Sequence, residues 1–293
     1  GDVYKRQGLC FLLDYLDNGI KGPEEVEKLT GLPSLGVIPM LQNGNEESAH
    51  EAKDIELINH LHPMLPISDD YRTVRTSILL SHAEAPPKVI ALTSSLPVEG
   101  KSSTLVNMAV AFSQLDKKVL LIDADLRKPR LHRIFKIKNT CGVSGYLTGK
   151  SGLNEAIQMT DVDNIWLLPS GPIPPNPSEL LNSSRMKEML DSVGEIFDVV
   201  LLDTPPVLAS IDAVIVSTMA DSTVLVLKAG EITQKPFVTA VEELKRGNAN
   251  VIGVVFNGLK SSEGKYFYRS NYPYYRYGSN GIENEANSLE VKH

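Results

Sequence analysis

Cysteine is nearly absent from these 293 residues: Cys10 and Cys141 lie far apart, and neither has a histidine or second cysteine at metal-ligand spacing. A disulfide scaffold and a zinc site are thereby excluded, and a reducing compartment fits. Positive charge is also in short supply, with 29 Lys and Arg against 36 Asp and Glu, a net charge of −7 and a pI near 5.5. No broad basic surface for duplex nucleic acid follows from such a balance, so nucleic acid is not an expected partner. Long apolar runs are missing too. The strongest near the start, "GLCFLL" at residues 8–13, falls far short of the roughly 18–20 residues that cross a bilayer. It reads as the start of a helix, and it equally suits the last turns of a membrane helix followed by a juxtamembrane linker. No internal repeat is found.

What is present is organised. Residues 19–67 are a mixed stretch with turn dipeptides and an acidic run, in which a short helix at 24–29 and a small strand at 35–38 sit inside a mostly extended linker. From residue 68 the pattern tightens. "SDDYRTVRTSILLSH" has a helical apolar stripe at Tyr71, Val74, Ile78 and Leu79, with Ser68 expected as N-cap. On this helix Arg72 and Arg75 lie three apart and share a flank with Asp69, which by spacing alone is a solvated charged face. Beyond residue 87, β-branched runs at 89–93, 119–122, 165–168, 199–202, 223–227 and 251–256 alternate with helical patterns at 101–114, 178–193, 210–218 and 235–244. Strands apolar on both faces and separated by helices predict a doubly wound, mostly parallel α/β sheet covered on both sides.

"SSLPVEGKSST" joins the first of these strands to the first of these helices. Counted from Ser95, four residues precede Gly100, Lys101 and Ser102, which is P-loop spacing with serine in place of the first glycine. Backbone N–H groups at a helix N-terminus face a phosphate there, Lys101 adds positive charge, and the Ser102 hydroxyl is a ligand for Mg2+. "VLLIDADLRKPR" ends a strand with Asp123 and Asp125, two apart and therefore on one side of extended chain, and "DVVLLDTPPV" ends another with Asp203. A single strand-end aspartate is usually a turn or helix cap. Three at the carboxyl edge of a parallel sheet, where ligands bind and where the P-loop sits, predict a nucleotide site.

In this order, the arginine-bearing helix, the P-loop, the paired-aspartate strand, the Asp-Thr-Pro-Pro strand and a terminal tyrosine cluster resemble the bacterial tyrosine kinases of capsular and exopolysaccharide export. The form resembled is the fused one, in which a membrane-spanning polysaccharide co-polymerase carries the kinase at its cytoplasmic end. The likeness covers about residues 68–277, and "FLLDYLDNGIKGPEEVEKLTGLPSLGVIP" is similar to the segment that leaves the second membrane helix of such fusions. It implies a membrane-proximal remnant and linker at 1–67, a P-loop kinase domain at 68–260 and a flexible tail at 261–293. It also implies a location at the cytoplasmic face of the plasma membrane.

The resemblance implies that Ser95, Glu99, Gly100, Lys101, Ser102 and Ser103 hold ATP, that Ser102, Asp123 and Asp203 hold Mg2+, and that Lys101, Asp123, Asp125 and Asp203 carry catalysis. Asn257 would lie near adenine. Asp69, Arg72 and Arg75 would form the contact between subunits of a homo-oligomeric ring, although that motif usually opens with glutamate where this chain has Asp69. A cognate tyrosine phosphatase and the polysaccharide polymerase and export machinery are the partners implied.

The tail now has a use. "YFYRSNYPYYRY", residues 266–277, holds six of the chain's ten tyrosines. An edge strand is one reading of it, weakened by Pro273, and a groove for single-stranded nucleic acid or sugar is another. The kinase reading makes Tyr266, Tyr268, Tyr272, Tyr274, Tyr275 and Tyr277 phosphoacceptors on a tail, modified in trans. Two rivals remain: a partition- or division-type ATPase switch, and a nucleotide-controlled structural module. Many partition ATPases carry a lysine where this chain has Leu96, and their membrane-targeting versions finish in an amphipathic helix that "YGSNGIENEANSLEVKH" does not provide.

Overall fold

A computed structural model describes residues 19–40 and 55–259. The apolar run at 8–13 and the tyrosine cluster at 266–277 lie outside the described residues. In chain order the elements begin with α1 (Pro23–Thr30) and β1 (Ser34–Pro39), then a 3-10 turn (Ile55–Leu57), α2 (Ile58–Leu61) and α3 (Pro66–Leu79). The central block is β2 (Val89–Ser94), α4 (Lys101–Ser113), β3 (Val119–Asp123), α5 (Leu131–Ile134), α6 (Val143–Leu147), α7 (Leu153–Ala156), β4 (Gln158–Met159) and β5 (Ile165–Leu168). The chain continues through α8 (Pro177–Leu181), α9 (Ser184–Ile196), β6 (Val199–Asp203), α10 (Asp212–Met219), β7 (Ser222–Lys228), α11 (Gln234–Arg246) and β8 (Val251–Leu259).

One eight-stranded sheet results, in the order β1-β8-β7-β2-β6-β3-β5-β4, parallel throughout except for the short β4 at the edge. The β-branched runs explain it. Every residue of β3 and β6 is buried, and alternate side chains enter opposite layers. Leu121 and Leu201 pack with Tyr71, Val74 and Ile78 of α3 and with most of α4. Leu120, Ile122, Val200 and Leu202 point the other way, against Met186, Met189, Leu190 and Val193 of α9. At the β8 side the second layer is completed by Phe237, Val241 and Leu244 of α11 with Val26 of α1. Truncating the fully buried Phe237 to alanine would cost about 3–5 kcal/mol on such packing.

Three differences from expectation have local causes. Ser68 is not the N-cap of α3: the cap is Leu65, three residues earlier, because Pro66 occupies the first turn with φ preset, and the buried Ser68 Oγ donates to the His62 carbonyl at 3.0 Å. The helix expected over 178–193 is two helices, interrupted at Asn182 and Ser183, where Ser183 Oγ donates to the Leu180 carbonyl at 2.6 Å. The strand near 35–38 is no isolated feature of a linker. As β1 it pairs in parallel with β8, Val37 opposite Phe256, and completes the sheet with Val37 and Ile38 buried. Among the described residues no helix is long and apolar enough to cross a membrane.

Parallel pairing is what builds the site. All the central strands run the same way, so β2, β3 and β6 deliver their C-terminal residues to one edge, with Asp123 directly across from Asp203.

Candidate active site

The loop from Ser94 to Lys101 turns on Gly100, whose φ of +84° lies in the left-handed region. A Cβ at this position would run into Asn257 Nδ2, so both conformation and space select glycine. Glu99 organises the rest of the loop. Its buried carboxylate accepts the Leu96 N–H at 2.7 Å and the Lys228 N–H at 3.3 Å, and Asn257 Nδ2 donates to its carbonyl at 3.0 Å. Burial pushes the Glu99 carboxyl up to about 7, against the pull of those backbone donors. Asn257 thus braces the P-loop from below and is not part of the cavity wall. Ser95, in the first glycine's position, is fully buried, and its carbonyl accepts the Leu208 N–H at 3.2 Å.

Lys101 and Ser102 converge on one carboxylate. Lys101 Nζ forms an ion pair with Asp203 Oδ1, and Ser102 Oγ donates to Asp203 Oδ2 at 2.7 Å. Lys101 is 8% exposed and Asp203 1%, so the pair sits in a low-dielectric setting where each charge is matched by its partner and not by water.

The two aspartates after β3 shape the next loop. Asp123 Oδ2 accepts the N–H groups of Arg130 and Leu131, both at 3.0 Å, while its Oδ1 is buried with no hydrogen-bond partner among the described residues. Asp125 Oδ1 accepts the N–H groups of Arg127 at 3.3 Å and Lys128 at 2.9 Å. Both carboxylates therefore cap the loop that follows β3. Complete burial drives the Asp123 carboxyl up to about 8, and the neighbouring Asp203 charge adds to the rise. Lys101 and the two N–H donors oppose it.

A cavity of about 400 Å3 opens over these groups. Of the residues expected from sequence, Glu99, Gly100, Lys101, Ser102, Ser103 and Asp125 line it, whereas Ser95, Asp123, Asp203 and Asn257 lie behind the wall. Hard oxygen donors at Ser102, Asp203 and Asp123, one of them an orphaned buried oxygen, fit Mg2+ chemically. Among the described residues no three His, Cys, Asp or Glu side chains form a cage of their own, so such an ion would take its remaining ligands from phosphate and water.

Spacing did not reveal the cationic half of the wall. Arg127, Lys128 and Arg130 line the cavity beside Pro205 and Pro206. Arg127 Nε donates to the fully buried Asp212 at 2.7 Å, and Ser178 Oγ donates to the same carboxylate at 2.5 Å, tying the loop to α10 and α8. Burial works to raise the Asp212 pKa, but Arg127, Ser178 and Ser210 outweigh it and hold the carboxyl below its ordinary value. "DLRKPR" showed the charges; nothing in sequence paired position 127 with 212.

On α3, Arg72 pairs with Asp69 at 2.6 Å and donates to Gln114 and the Pro63 carbonyl. Arg75 turns inward and donates to the Ala111 carbonyl at 2.6 Å, its proton affinity lowered by burial and then by Arg72.

An AAA-domain family model matches residues 87–251. The tyrosine-protein kinase YwqD of Bacillus subtilis strain 168 is 43% identical over 208 residues, covering 71% of this chain and 86% of the relative. The tyrosine-protein kinase Etk of Escherichia coli strain K12 is 32% identical over 256 residues, covering 83% of this chain and 35% of the relative. This chain thus spans most of the first relative and about a third of the second. Among solved structures, the kinase domain of Escherichia coli Etk superposes with a TM-score of 0.76 at 32% identity, covering 83% of this chain and 96% of that one. The BceF tyrosine kinase domain gives 0.73 at 36% identity, covering 82% and 99%. The septum-site protein MinD of Pyrococcus horikoshii, complexed with Mg-ADP, shares the fold at 23% identity and a TM-score of 0.51, over 58% of this chain and 70% of that one. Motif order, site geometry and these likenesses agree, and the chain belongs to the bacterial tyrosine-kinase family of capsule and exopolysaccharide systems, built on a P-loop nucleotide-binding sheet.

Proposed function

We propose that this chain transfers the γ-phosphoryl group of ATP to tyrosines of its own C-terminal cluster, 266–277, between copies of the chain. The observation that carries the reading is the convergence of Lys101, Ser102 and Asp203 under a cavity walled by Asp125 and cations. The phenolic oxygen attacks Pγ, the bond from Pγ to the β–γ bridging oxygen breaks, ADP leaves, and the phenolic proton passes to a carboxylate. Because bonding to the transferred group is loose in such a transition state, positioning and charge neutralisation supply most of the rate.

Lys101 moves from Asp203 to the phosphates in this scheme, which frees Asp203 and Ser102 as metal ligands. Bound there, Mg2+ would neutralise β- and γ-phosphate charge. A phenol with a pKa near 10 needs an acceptor for its proton, and Asp123 suits the task because burial keeps its pKa near 8. It lies behind the wall, so Asp125 meets an incoming hydroxyl first, and Asp123 is reached when the loop that caps it shifts. Asn257 acts by bracing Glu99 and Gly100.

Copies of the chain assemble into a ring partly through the α3 flank of Asp69, Arg72 and Arg75 in this reading. Each phosphate adds about −1.5 to −2 charge, so a phosphorylated cluster loosens the ring, and a tyrosine phosphatase resets it. Cycling of that kind, at the cytoplasmic face of the plasma membrane, would couple ATP use to polysaccharide polymerisation and export. Incubation of purified chain with Mg-ATP followed by mass spectrometry should place phosphate on tyrosines within 266–277. Lys101→Met should lower incorporation by roughly 100-fold or more. Unlabelled tyrosines in concentrated wild-type protein, or full labelling of the variant, would overturn the reading.

A further inference from the structure

Beside the nucleotide cavity lies a second cleft of about 700 Å3, lined among the described residues by Arg127, Lys128, Arg130 and Arg133 with one acid, Glu56. The two spaces share Arg127, Lys128 and Arg130, so the capped loop after Asp125 forms one wall of each. The charges of the cleft are unevenly committed. Arg127 is paired with Asp212 and Arg130 with Glu56, whereas Lys128 and Arg133 make no ion pair among the described residues. Both are exposed. Arg133 is felt by its neighbour, for its charge adds to burial in lowering the pKa of His132. The remaining wall is apolar: Pro129, Ile134 and Ile173, the last 64% exposed.

Two uncommitted cations facing an apolar wall fit a ligand that carries a dianion on a flat apolar body. We infer that this cleft binds phosphotyrosine of the chain's own 266–277 cluster, so that one modified tyrosine docks while another occupies the nucleotide cavity. The phosphate would meet Lys128 and Arg133, with Arg130 able to exchange Glu56 for it, and the ring would lie against Ile173 and Pro129. A cluster with successive tyrosines one to four residues apart suits adjoining sites, since extended chain advances about 3.3 Å per residue. Before modification the twelve residues 266–277 carry two arginines and no acid, so the charge match arises only once phosphate is present. A first phosphate would then favour the next.

The inference rests on the kinase reading for the origin of the phosphate, but its test does not use catalysis. A fluorescent synthetic peptide of residues 263–279, with phosphate on Tyr274 and Tyr275, is titrated with phosphatase-treated full-length chain in the absence of nucleotide. Fluorescence anisotropy should show it binding about tenfold or more tighter than the unphosphorylated peptide. Arg133→Glu and, separately, Lys128→Glu should each weaken binding about tenfold, and Arg133→Lys should retain it, with thermal unfolding identifying any variant that fails to fold. A peptide with phosphoserine at both positions should bind several-fold more weakly. Equal binding of modified and unmodified peptides, indifference to both charge reversals, or equal binding of phosphoserine and phosphotyrosine peptides would each overturn it. The last outcome would make the cleft a general polyanion surface. Phosphopeptide binding without tyrosine labelling would sink the kinase reading and spare the cleft; the reverse would do the opposite.

Discussion

The nucleotide cavity and the cleft beside it share a loop yet hold their charges differently. In the cavity Lys101 is buried against Asp203, Ser102 bonds the same carboxylate, and Asp123 and Asp125 each accept two backbone N–H groups on one oxygen. In the cleft the cations are exposed, and two of them make no ion pair among the described residues. Buried charge must be matched within the fold, because desolvation makes an unmatched ion costly, so the cavity is organised in advance. Exposed charge is tolerated unmatched, since water screens it. The cleft is therefore free to recruit.

The sharpest way to break this contrast is Asp203→Asn. It leaves Lys101 buried without its counter-charge and removes a proposed metal ligand, and tyrosine labelling should fall by roughly 100- to 1,000-fold. Urea unfolding should show a loss of about 3–5 kcal/mol, the range seen when one member of a buried pair is removed. Retention of stability within experimental error would mean that the pair is not desolvated as drawn.

A second test reads the buried acid through pH. Asp123 has a pKa of about 8 when folded, against about 3.9 for an unfolded aspartate. Below the lower value both states are protonated and the group is neutral to stability. As pH rises between the two, the unfolded chain releases a proton that the folded chain keeps, so folding weakens, and above 8 the loss is complete. Asp123→Asn should accordingly raise the thermal midpoint at pH 8.5, with the gain shrinking towards pH 4. A gain that does not vary with pH would deny the raised pKa. Activity has the opposite dependence: with Asp123 as the proposed proton acceptor, labelling by the wild type should climb from pH 6 to 8.5 as it ionises.

The smallest effect belongs to the cleft. Glu56→Gln removes the acid paired with Arg130, an arginine side chain 58% exposed, and should alter stability by less than about 1 kcal/mol. It should tighten phosphotyrosine-peptide binding slightly by releasing a third cation. A large loss of stability would show that the cleft, like the cavity, depends on matched charge.

Much of the cavity was legible because its parts are local. The run from Ser95 to Ser102 carries its own turn, donors and lysine, and Asp123 and Asp125 are set by a period of two. Even the bland expectation for strand-end aspartates proved informative, since both cap the loop that follows. What escaped reading joins distant positions: Arg127 with Asp212, Arg130 with Glu56, and Asn107, whose buried amide binds Asn59 and fastens the segment before α3 onto α4. The strand at the start of the chain was visible, but its place beside β8 was not, because an apolar hexapeptide names no neighbour.

By itself the sequence determined the class of sheet, the position of the phosphate-binding turn and the identity of the acids around it. These depend on spacings of a few residues, which backbone geometry converts directly into shared faces and shared ends. Only the tertiary structure decided that Asp203 receives both Lys101 and Ser102, that Asn257 supports Gly100, and that four cations after Asp125 line a cleft of their own. Those outcomes follow from parallel strand register and from which buried groups remain to be matched, and both are settled only when the whole sheet is assembled.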